Sequence, residues 1–183
     1  MKQVDLSKFS NVWYKPGSFI KRMLWYIVEM LFISTRFPFP SSLKITLLKV
    51  FGTKAGKGIV IKPNVKIKYP WFLEVGNFVW IGEMVWIDNL TNVKIGNNVC
   101  ISQGAYIMTG SHDYEKESFD LIIKGVIIED GAWIGAKAII LPGSHICTHA
   151  VISTGAVFGG KAKPYGVYVG NPATFAYHRN IEK

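Results

Sequence analysis

Ile128-Glu-Asp-Gly-Ala-Trp133 is followed at once by Ile134-Gly-Ala-Lys-Ala-Ile139, two six-residue units that each begin with isoleucine. The same spacing of aliphatic residues recurs on both sides of this pair, at Ile61, Ile67, Ile81, Ile87, Ile95, Ile101, Ile107, Ile140, Ile146 and Ile152. An α-helix cannot keep a period of six on one face, whereas a strand that turns a corner every six residues can. Three such sides make one coil, so the repeat predicts a β-helix with a continuous aliphatic interior.

The repeat extends from about Ile59 to Val169, which corresponds to about five coils of ~18 residues each. Gly76-Asn77 and Gly96-Asn97-Asn98 lie between the aliphatic positions, and we expect them at corners where positive φ is needed. One charged segment does not fit the repeat and predicts a loop insertion at about 110–125. The predicted β-helix domain is therefore 53–173, followed by a tail at 174–183.

Residues 1–52 have a different pattern, that of an arm and two amphipathic helices. Apolar residues recur at three and four positions from Phe19 to Phe32, with Ser18 as N-cap and with Lys21, Arg22 and Glu29 away from the apolar side. A second helix is expected from Ser42 to Phe51. The first apolar run is too short to span a membrane, which takes ~20 residues. Two interpretations remain open for residues 1–50: packing on protein, or peripheral membrane contact.

The formal net charge is +9, which fits nucleic acid, an anionic membrane surface or a polyanionic cofactor as partner. Nucleic acid is disfavoured because the basic residues are scattered. The only two cysteines, Cys100 and Cys147, form no Cys-x-x-Cys motif and are expected to be free thiols. The N-terminus has no signal-peptide pattern, so we expect a cytoplasmic protein, with the inner face of the membrane as its peripheral location.

His112 lies in Thr109-Gly-Ser-His-Asp113, where the repeat breaks off before the insertion. A histidine at the edge of a rigid scaffold can act as a general base. His145 and His149 are four residues apart and should lie on different sides of a corner, while His178 lies in the tail. Three convergent histidines are therefore not expected, and no metal site is predicted.

The repeats, together with Ser102-Gln-Gly-Ala-Tyr106, the His112 segment, Trp133-Ile-Gly-Ala136 and Tyr168-Val-Gly-Asn-Pro-Ala173, resemble the left-handed β-helix acetyltransferases. Within that family, the chain looks most like the colanic acid biosynthesis branch, the WcaF-like proteins. The resemblance implies a left-handed hexapeptide-repeat coil, a homotrimer, acetyl-CoA as donor and an active site between adjacent subunits.

The resemblance also implies roles for individual residues. His112 matches the catalytic base, whose tautomer either Asp113 or a backbone carbonyl would fix. The CoA-contacting positions correspond to Ala136, Thr154, Gly159 and Gly160. The family often has Thr-Lys or Ser-Lys at the last two positions; here Lys161 follows one place later, and Lys161, Lys163 and Arg179 are candidates for the CoA phosphates. Asp88 or Asn89 matches the acceptor-binding position.

These residues together predict an acetyl-CoA-dependent O-acetyltransferase acting on a sugar or glycan precursor in exopolysaccharide or surface polysaccharide assembly. Transfer is expected to be direct, because no cysteine or serine nucleophile with a partner base is apparent. Two alternatives remain: an acetyltransferase for an amino sugar or antibiotic, and a non-catalytic β-helix scaffold. An accessible His112 and small residues along the CoA edge argue against the scaffold.

Overall fold

A computed structural model describes residues 3–182 and contains a parallel β-helix. In chain order the strands are β1 (Lys54–Ala55), β2 (Val60–Ile61), β3 (Lys66–Ile67), β4 (Leu73–Val75), β5 (Trp80–Ile81), β6 (Trp86–Asp88), β7 (Val93–Ile95), β8 (Cys100–Ile101), β9 (Tyr106–Met108), β10 (Gly110–His112), β11 (Leu121–Ile123), β12 (Val126–Ile128), β13 (Trp133–Ile134), β14 (Ile139–Ile140), β15 (His145–Ile146), β16 (Val151–Ile152), β17 (Val157–Phe158), β18 (Lys161–Ala162), β19 (Gly166–Val169) and β20 (Thr174–His178).

The strands form three parallel sheets, which are the three faces of the coil. Face 1 contains β1, β4, β7, β12, β15 and β18; face 2 contains β2, β5, β8, β13, β16 and β19; face 3 contains β3, β6, β9, β14 and β17. The predicted solenoid is therefore confirmed, with five complete coils and a sixth that has two sides. We number the corners by the faces that they join: corner 1–2, corner 2–3 and corner 3–1.

The isoleucines of the repeat form the interior. In the face 2 register, Ile81 pairs with Ile101, Ile101 with Ile134, and Ile134 with Ile152, and these side chains are almost fully buried. Burying one such side chain contributes about 1.5–3 kcal/mol relative to leaving it exposed. Each coil is thus stabilised mainly by its two neighbours, as the period of six predicts.

Corner 1–2 carries a ladder of asparagine and aspartate side chains. Asp130 Oδ1 accepts a hydrogen bond from the Asn97 backbone N–H at 2.7 Å, and Asn97 Oδ1 accepts one from the Asn77 backbone N–H at 2.8 Å. The expectation of positive φ at these corners is confirmed for Asn98 (φ 54°) but is wrong for Gly76 and Gly96, and in the coil before it is Phe78 that has positive φ (56°). Glycine is required at these positions because the backbones of successive coils lie close together: a Cβ on Gly76 would lie 2.7 Å from the Gly96 carbonyl carbon.

Two helices precede the coil. Helix α1 covers Phe19–Val28 with Ser18 as its N-cap, and a π-helical turn, Glu29–Ile33, continues it; α2 covers Ser41–Val50. Within residues 3–182, no helix combines the length and the apolar content needed to cross a bilayer.

Lys21, Arg22 and Glu29 lie away from the apolar side of α1, as expected, and it is the apolar side that is exposed. Trp25 and Ile33 are buried against the coil, but Lys21 and Arg22 also lie on the coil side, with Lys21 Nζ 4.3 Å from the centre of the Trp71 ring. The apolar outer face is exposed to between 43% and 70% and consists of Phe19, Ile20, Met23, Leu24, Tyr26, Ile27, Met30 and Leu31. The cation–π contact with Trp71 stabilises Lys21 on the coil side, and Arg22 lines a cavity there.

The insertion is a β-hairpin and not an irregular loop. Strands β10 and β11 pair antiparallel, with His112 opposite Leu121, and they project from corner 3–1 of the third coil. The N-terminal arm lies against the hairpin: the Asp5 N–H donates to the Glu117 carbonyl at 2.9 Å, and Lys8 forms an ion pair with Glu117. At the other end of the chain, β20 pairs antiparallel with β19.

Candidate active site

His112 is held by its hairpin in a defined orientation. Its Nδ1 lies 2.9 Å from the Phe119 carbonyl oxygen, and the two rings stack with centroids 4.4 Å apart at an angle of 9°. A carbonyl oxygen only accepts hydrogen bonds, so Nδ1 carries the proton and Nε2 keeps its lone pair. Of the two candidates for fixing the tautomer, the backbone carbonyl has this role. Asp113 instead accepts a hydrogen bond from the Glu115 N–H and lies near Lys116.

His112 lines a cavity of about 680 Å³, which we call the histidine cavity. Its walls come from three parts of the chain: the hairpin, the coil and the N-terminal arm with the start of α1. The lining includes Phe9, Tyr14, Arg22, Lys68, Tyr69, Leu90 and Leu121. Phe9 lies 5.6 Å from the His112 ring, centroid to centroid. The cavity combines aromatic rings with cationic side chains, a combination that suits a polar ligand with flat apolar faces.

Asp88 lies behind this cavity, next to Lys68. Lys68 Nζ is 3.0 Å from Asp88 Oδ1, although not in the orientation of a hydrogen bond, and Tyr106 donates to Asp88 Oδ2 at 3.2 Å. Burial, followed by the charge and hydrogen bond of Asp88, raises the pKa of Tyr106 to about 12, so its hydroxyl stays a donor. Asp88 Oδ1 is covered by the Lys68 ammonium, which a substrate hydroxyl would have to replace.

Asn89 does not fit the expectation that it binds an acceptor. Its side chain is fully buried; Oδ1 accepts from the Tyr69 N–H at 3.1 Å and Nδ2 donates to the Tyr69 carbonyl at 2.6 Å. The repeat slips phase near Trp71, and Asn89 satisfies the two backbone groups of Tyr69 at that slip. Asp88 is therefore the better candidate of the two.

The predicted CoA residues fall on two different corners. Ala136 and Thr154 lie at corner 2–3, one coil apart, where the Gly155 N–H donates to the Ala136 carbonyl at 2.8 Å. Within the described residues, the N–H groups of Ala136 and Thr154 make no hydrogen bond. These two stacked donors are free to bind a ligand along the corner.

Gly159 and Gly160 lie at corner 3–1 in the fifth coil, on the same corner as the hairpin that carries His112. The hairpin lies two coils before these glycines, a distance of about 10 Å at the usual strand spacing. A Cβ on Gly160 would meet no heavy atom within 4 Å, so the glycine leaves open space there. The residue after it, Lys161, begins β18 on face 1 with an exposed side chain and pairs in register with His145.

Arg179 does not reach this open space. Its Nη1 donates to the Gly131 carbonyl at 3.3 Å and to the His149 carbonyl at 3.5 Å, both at corner 1–2. The expectation that Arg179 contacts a CoA phosphate is not supported, since its side chain instead binds the end of the C-terminal strand to the coil through these hydrogen bonds.

The remaining histidines have separate surroundings. The His149 ring stacks on Tyr165 at 4.8 Å, and His145 Nε2 lies 2.5 Å from Glu129 Oε1. Potential ligand atoms of Glu129, His145 and Cys147 lie within 4.8 Å of one another, a cluster that the sequence analysis missed. Both Glu129 oxygens are occupied, since the Thr148 N–H donates to Oε2 at 2.8 Å. Burial raises the pKa of the Cys147 thiol, which disfavours the thiolate that binds metal.

Comparisons with known proteins give a full-length relative. The chain is 34% identical over 178 residues to the Escherichia coli K12 protein named "Putative colanic acid biosynthesis acetyltransferase WcaF", and the match covers 96% of this chain and 97% of that protein. No protein-family model matches the chain.

Solved structures with the same fold are also acetyltransferases. A galactoside acetyltransferase in complex with coenzyme A superposes with a TM-score of 0.77 at 21% identity, covering 88% of this chain and 82% of that one. A maltose O-acetyltransferase from Clostridium difficile 630 superposes with a TM-score of 0.74 at 24% identity, covering 88% of each chain. At these identities the likeness establishes the fold alone.

Proposed function

Because this chain belongs to the WcaF-like hexapeptide-repeat acetyltransferases, we propose that it transfers the acetyl group of acetyl-CoA to a sugar hydroxyl. The glycan would be an exopolysaccharide or surface polysaccharide precursor, the context that the relative's name gives. The observation that carries the proposal is His112, whose Nδ1–H is bound to the Phe119 carbonyl on the wall of the histidine cavity.

The free Nε2 of His112 is suited to take the proton of the acceptor hydroxyl while its oxygen attacks the thioester carbonyl. A C–O bond forms, and the tetrahedral intermediate collapses by breaking the C–S bond. The imidazolium then returns the proton to the departing CoA thiolate, so no acyl-enzyme is formed. The Phe119 carbonyl supports this cycle because it continues to accept the Nδ1–H in both protonation states of the ring.

The acceptor would bind in the histidine cavity. Phe9 and Tyr69 offer ring faces to a sugar, and Lys68 offers a donor of hydrogen bonds. Asp88, behind the cavity, would accept a hydrogen bond from the sugar only after its Oδ1 is released by Lys68. Tyr14 is a fixed part of the wall, because its hydroxyl donates to the Leu90 carbonyl at 2.6 Å and burial raises its pKa. Such a site positions one hydroxyl beside the histidine, the principal contribution of binding to the rate.

The donor would run along the coil edge between two copies of the chain. The free N–H groups of Ala136 and Thr154 at corner 2–3 can bind the carbonyls of a pantetheine arm. Gly159, Gly160 and His112 lie on corner 3–1, so the two sets come together only if corner 2–3 of one copy faces corner 3–1 of the next. A homotrimer with cyclic symmetry brings these corners together at each of its three interfaces.

The test is acetyl-CoA binding by calorimetry and CoA release with a panel of free, nucleotide-linked and lipid-linked sugars, for wild type beside His112→Ala. We expect both proteins to bind acetyl-CoA and only the wild type to release CoA at an appreciable rate, with a loss of roughly 10²–10⁴-fold in the variant. Equal rates would exclude His112 as the base, and the absence of binding to either protein would exclude the donor.

The outer face of α1 supports a peripheral membrane contact, which would bring the enzyme to a lipid-linked acceptor. The face presents eight apolar side chains, and exposed basic residues lie before and after α1 in the sequence at Lys15 and Arg36. Helices with this combination lie in the interface of anionic bilayers.

Sedimentation with vesicles that contain anionic phospholipid tests the contact. Ile20→Glu together with Ile27→Glu should abolish sedimentation, whereas Ile127→Glu, on face 1 with an exposure close to that of Ile27, should not change it. If the double variant sediments like the wild type, the contact is refuted. If it changes the oligomeric state instead, the face belongs to a second copy of the chain.

A further inference from the structure

A second cavity, of about 460 Å³, lies between α1 and face 3, and we call it the α1 groove. Its apolar lining includes Phe19, Met23, Trp25, Tyr26, Ile67 and Trp86. Phe19, Met23 and Tyr26 also belong to the exposed outer face of α1. The groove is therefore continuous with the apolar surface of the helix.

The α1 groove is also cationic. Arg22, Lys66 and Lys68 line it, and Glu29 is the only acid in the lining. Burial raises the pKa of Glu29, whereas the Ser34 hydroxyl, which donates to its Oε2 at 3.1 Å, and the charge of Lys66 act in the opposite direction. The lining therefore has three basic side chains and one acidic one.

Two of these cations form no ion pair in the part of the chain that the structure describes. Arg22 has none, and its buried Nε has no hydrogen-bond acceptor. Lys66 is near enough to Glu29 to influence its pKa but forms no ion pair with it, and its Nζ lies 5.7 Å from the centre of the Trp86 ring. A buried guanidinium nitrogen without an acceptor costs free energy unless a ligand supplies one. Phosphate oxygens are well suited, because arginine and lysine bind them by charge-assisted hydrogen bonds.

The α1 groove and the histidine cavity meet at the cations. Arg22, Lys68 and Tyr69 line both. A ligand that extends through both cavities would therefore place a polar group beside His112, an anionic group at Arg22 and Lys68, and an apolar chain against Trp25 and Trp86.

We propose that the α1 groove binds the phosphate or diphosphate and the first carbons of the hydrocarbon chain of a lipid-linked sugar, whose sugar lies in the histidine cavity. This inference rests on the proposed acetyl transfer and names the acceptor class. The hydrocarbon would leave the groove past Phe19 and Tyr26 at the outer face of α1, where a bilayer would receive it.

The ligand chemistry has two sources, lipid-linked and nucleotide-linked diphosphates, and a binding experiment separates them. The probes are farnesyl diphosphate, farnesol, inorganic diphosphate and uridine diphosphate, added to the full chain without acetyl-CoA. Binding is followed by calorimetry and by tryptophan fluorescence, since Trp25 and Trp86 line the groove. We expect farnesyl diphosphate to bind at least about tenfold more tightly than farnesol or inorganic diphosphate, because it makes both the apolar and the charged contacts.

Lys66→Gln and Arg22→Gln should each weaken farnesyl diphosphate binding by about tenfold and leave farnesol binding unchanged. Trp86→Ala should weaken farnesyl diphosphate binding but not that of inorganic diphosphate. The control is Lys57→Gln, a lysine outside both cavities at the start of the coil, with unfolding temperatures measured for all variants.

Equal affinity of wild type and Lys66→Gln would overturn the proposal, as would tighter binding of uridine diphosphate than of farnesyl diphosphate. Neither result bears on acetyl-CoA binding or on the His112→Ala comparison. The proposed acetyl transfer can therefore fail or survive independently of this subsite.

Discussion

The coil and the layer that covers its corner 3–1 differ in how far apart in the sequence their contacts lie. In the coil, each strand pairs with the strand one turn before it, as Trp86 does with Lys66. The covering layer, residues 3–17 and 109–125, is held by contacts such as the one between Lys8 and Glu117, 109 positions apart. The coil is thus a regular scaffold, and the covering layer holds His112 and closes the cavity in which we propose that the chemistry occurs.

The largest effect should come from the coil. Ile134→Ala removes a fully buried side chain from the stack on face 2 and should lower the free energy of unfolding by about 2–5 kcal/mol. Ile127→Ala on face 1, where the side chain is 42% exposed, should cost less than about 1 kcal/mol. Denaturant titration of both variants measures the difference. Similar losses would mean that the stack does not dominate stability.

The next largest effect should come from the covering layer and should change the reaction rate rather than the stability. Phe9→Ala removes the ring beside His112 and should lower the rate of acetyl transfer by roughly tenfold, since a loosened site misplaces the reacting groups. Stability should change little because Phe9 is outside the coil. Leu6→Ala, on the same arm but exposed, is the matched control. A loss of stability with an unchanged rate would contradict the division of roles.

A smaller effect concerns the corner ladder. Asp130→Ala removes an acceptor of the Asn97 N–H and should cost at most about 1 kcal/mol. That hydrogen bond lowers the pKa of Asp130 in the folded state, so its contribution is fully present above the ordinary value of 3.8 and is lost as the pH falls through the lower folded value. The cost of Asp130→Ala, measured from pH 7 downward, should shrink in that range. A cost that is independent of pH would exclude the hydrogen bond as its source.

The smallest effect should come from the ion pair between arm and hairpin. A double-mutant cycle with Lys8→Ala and Glu117→Ala should give a coupling energy of about 0.2–1 kcal/mol, because both side chains are exposed. A coupling above about 2 kcal/mol would show that this pair, rather than the apolar contacts of the layer, holds the arm in place.

The sequence predicted the coil because its contacts are local and periodic. It also predicted that His112 lies beside a groove at the edge of the coil, since the histidine stands at the break in the repeat; its role as the base stays a prediction. It did not predict Phe9, Tyr14, Arg22 or Tyr69 as cavity residues, because these residues are far from His112 in the sequence and meet it only in the folded chain. The aromatic character of the arm and the phase slip after Tyr69 were the available signals.

One expectation failed for a physical reason. Asn89 was expected to bind the acceptor, but its amide is buried and forms hydrogen bonds with the Tyr69 backbone. Lys21 likewise has a local partner, the Trp71 ring, and lies against the coil. Residue polarity predicts exposure only where no such partner lies within reach.

The orientation of the His112 imidazole can be measured directly by ¹⁵N NMR of histidine-labelled protein at pH 8, where imidazole is ordinarily neutral. His112→Asn identifies the signal by its disappearance. We predict a protonated Nδ1 and an unprotonated Nε2, the form in which the Phe119 carbonyl accepts the proton and Nε2 is free to act as the base. A protonated Nε2 would contradict this assignment, because Nε2 could then only donate a hydrogen bond and could not act as the base.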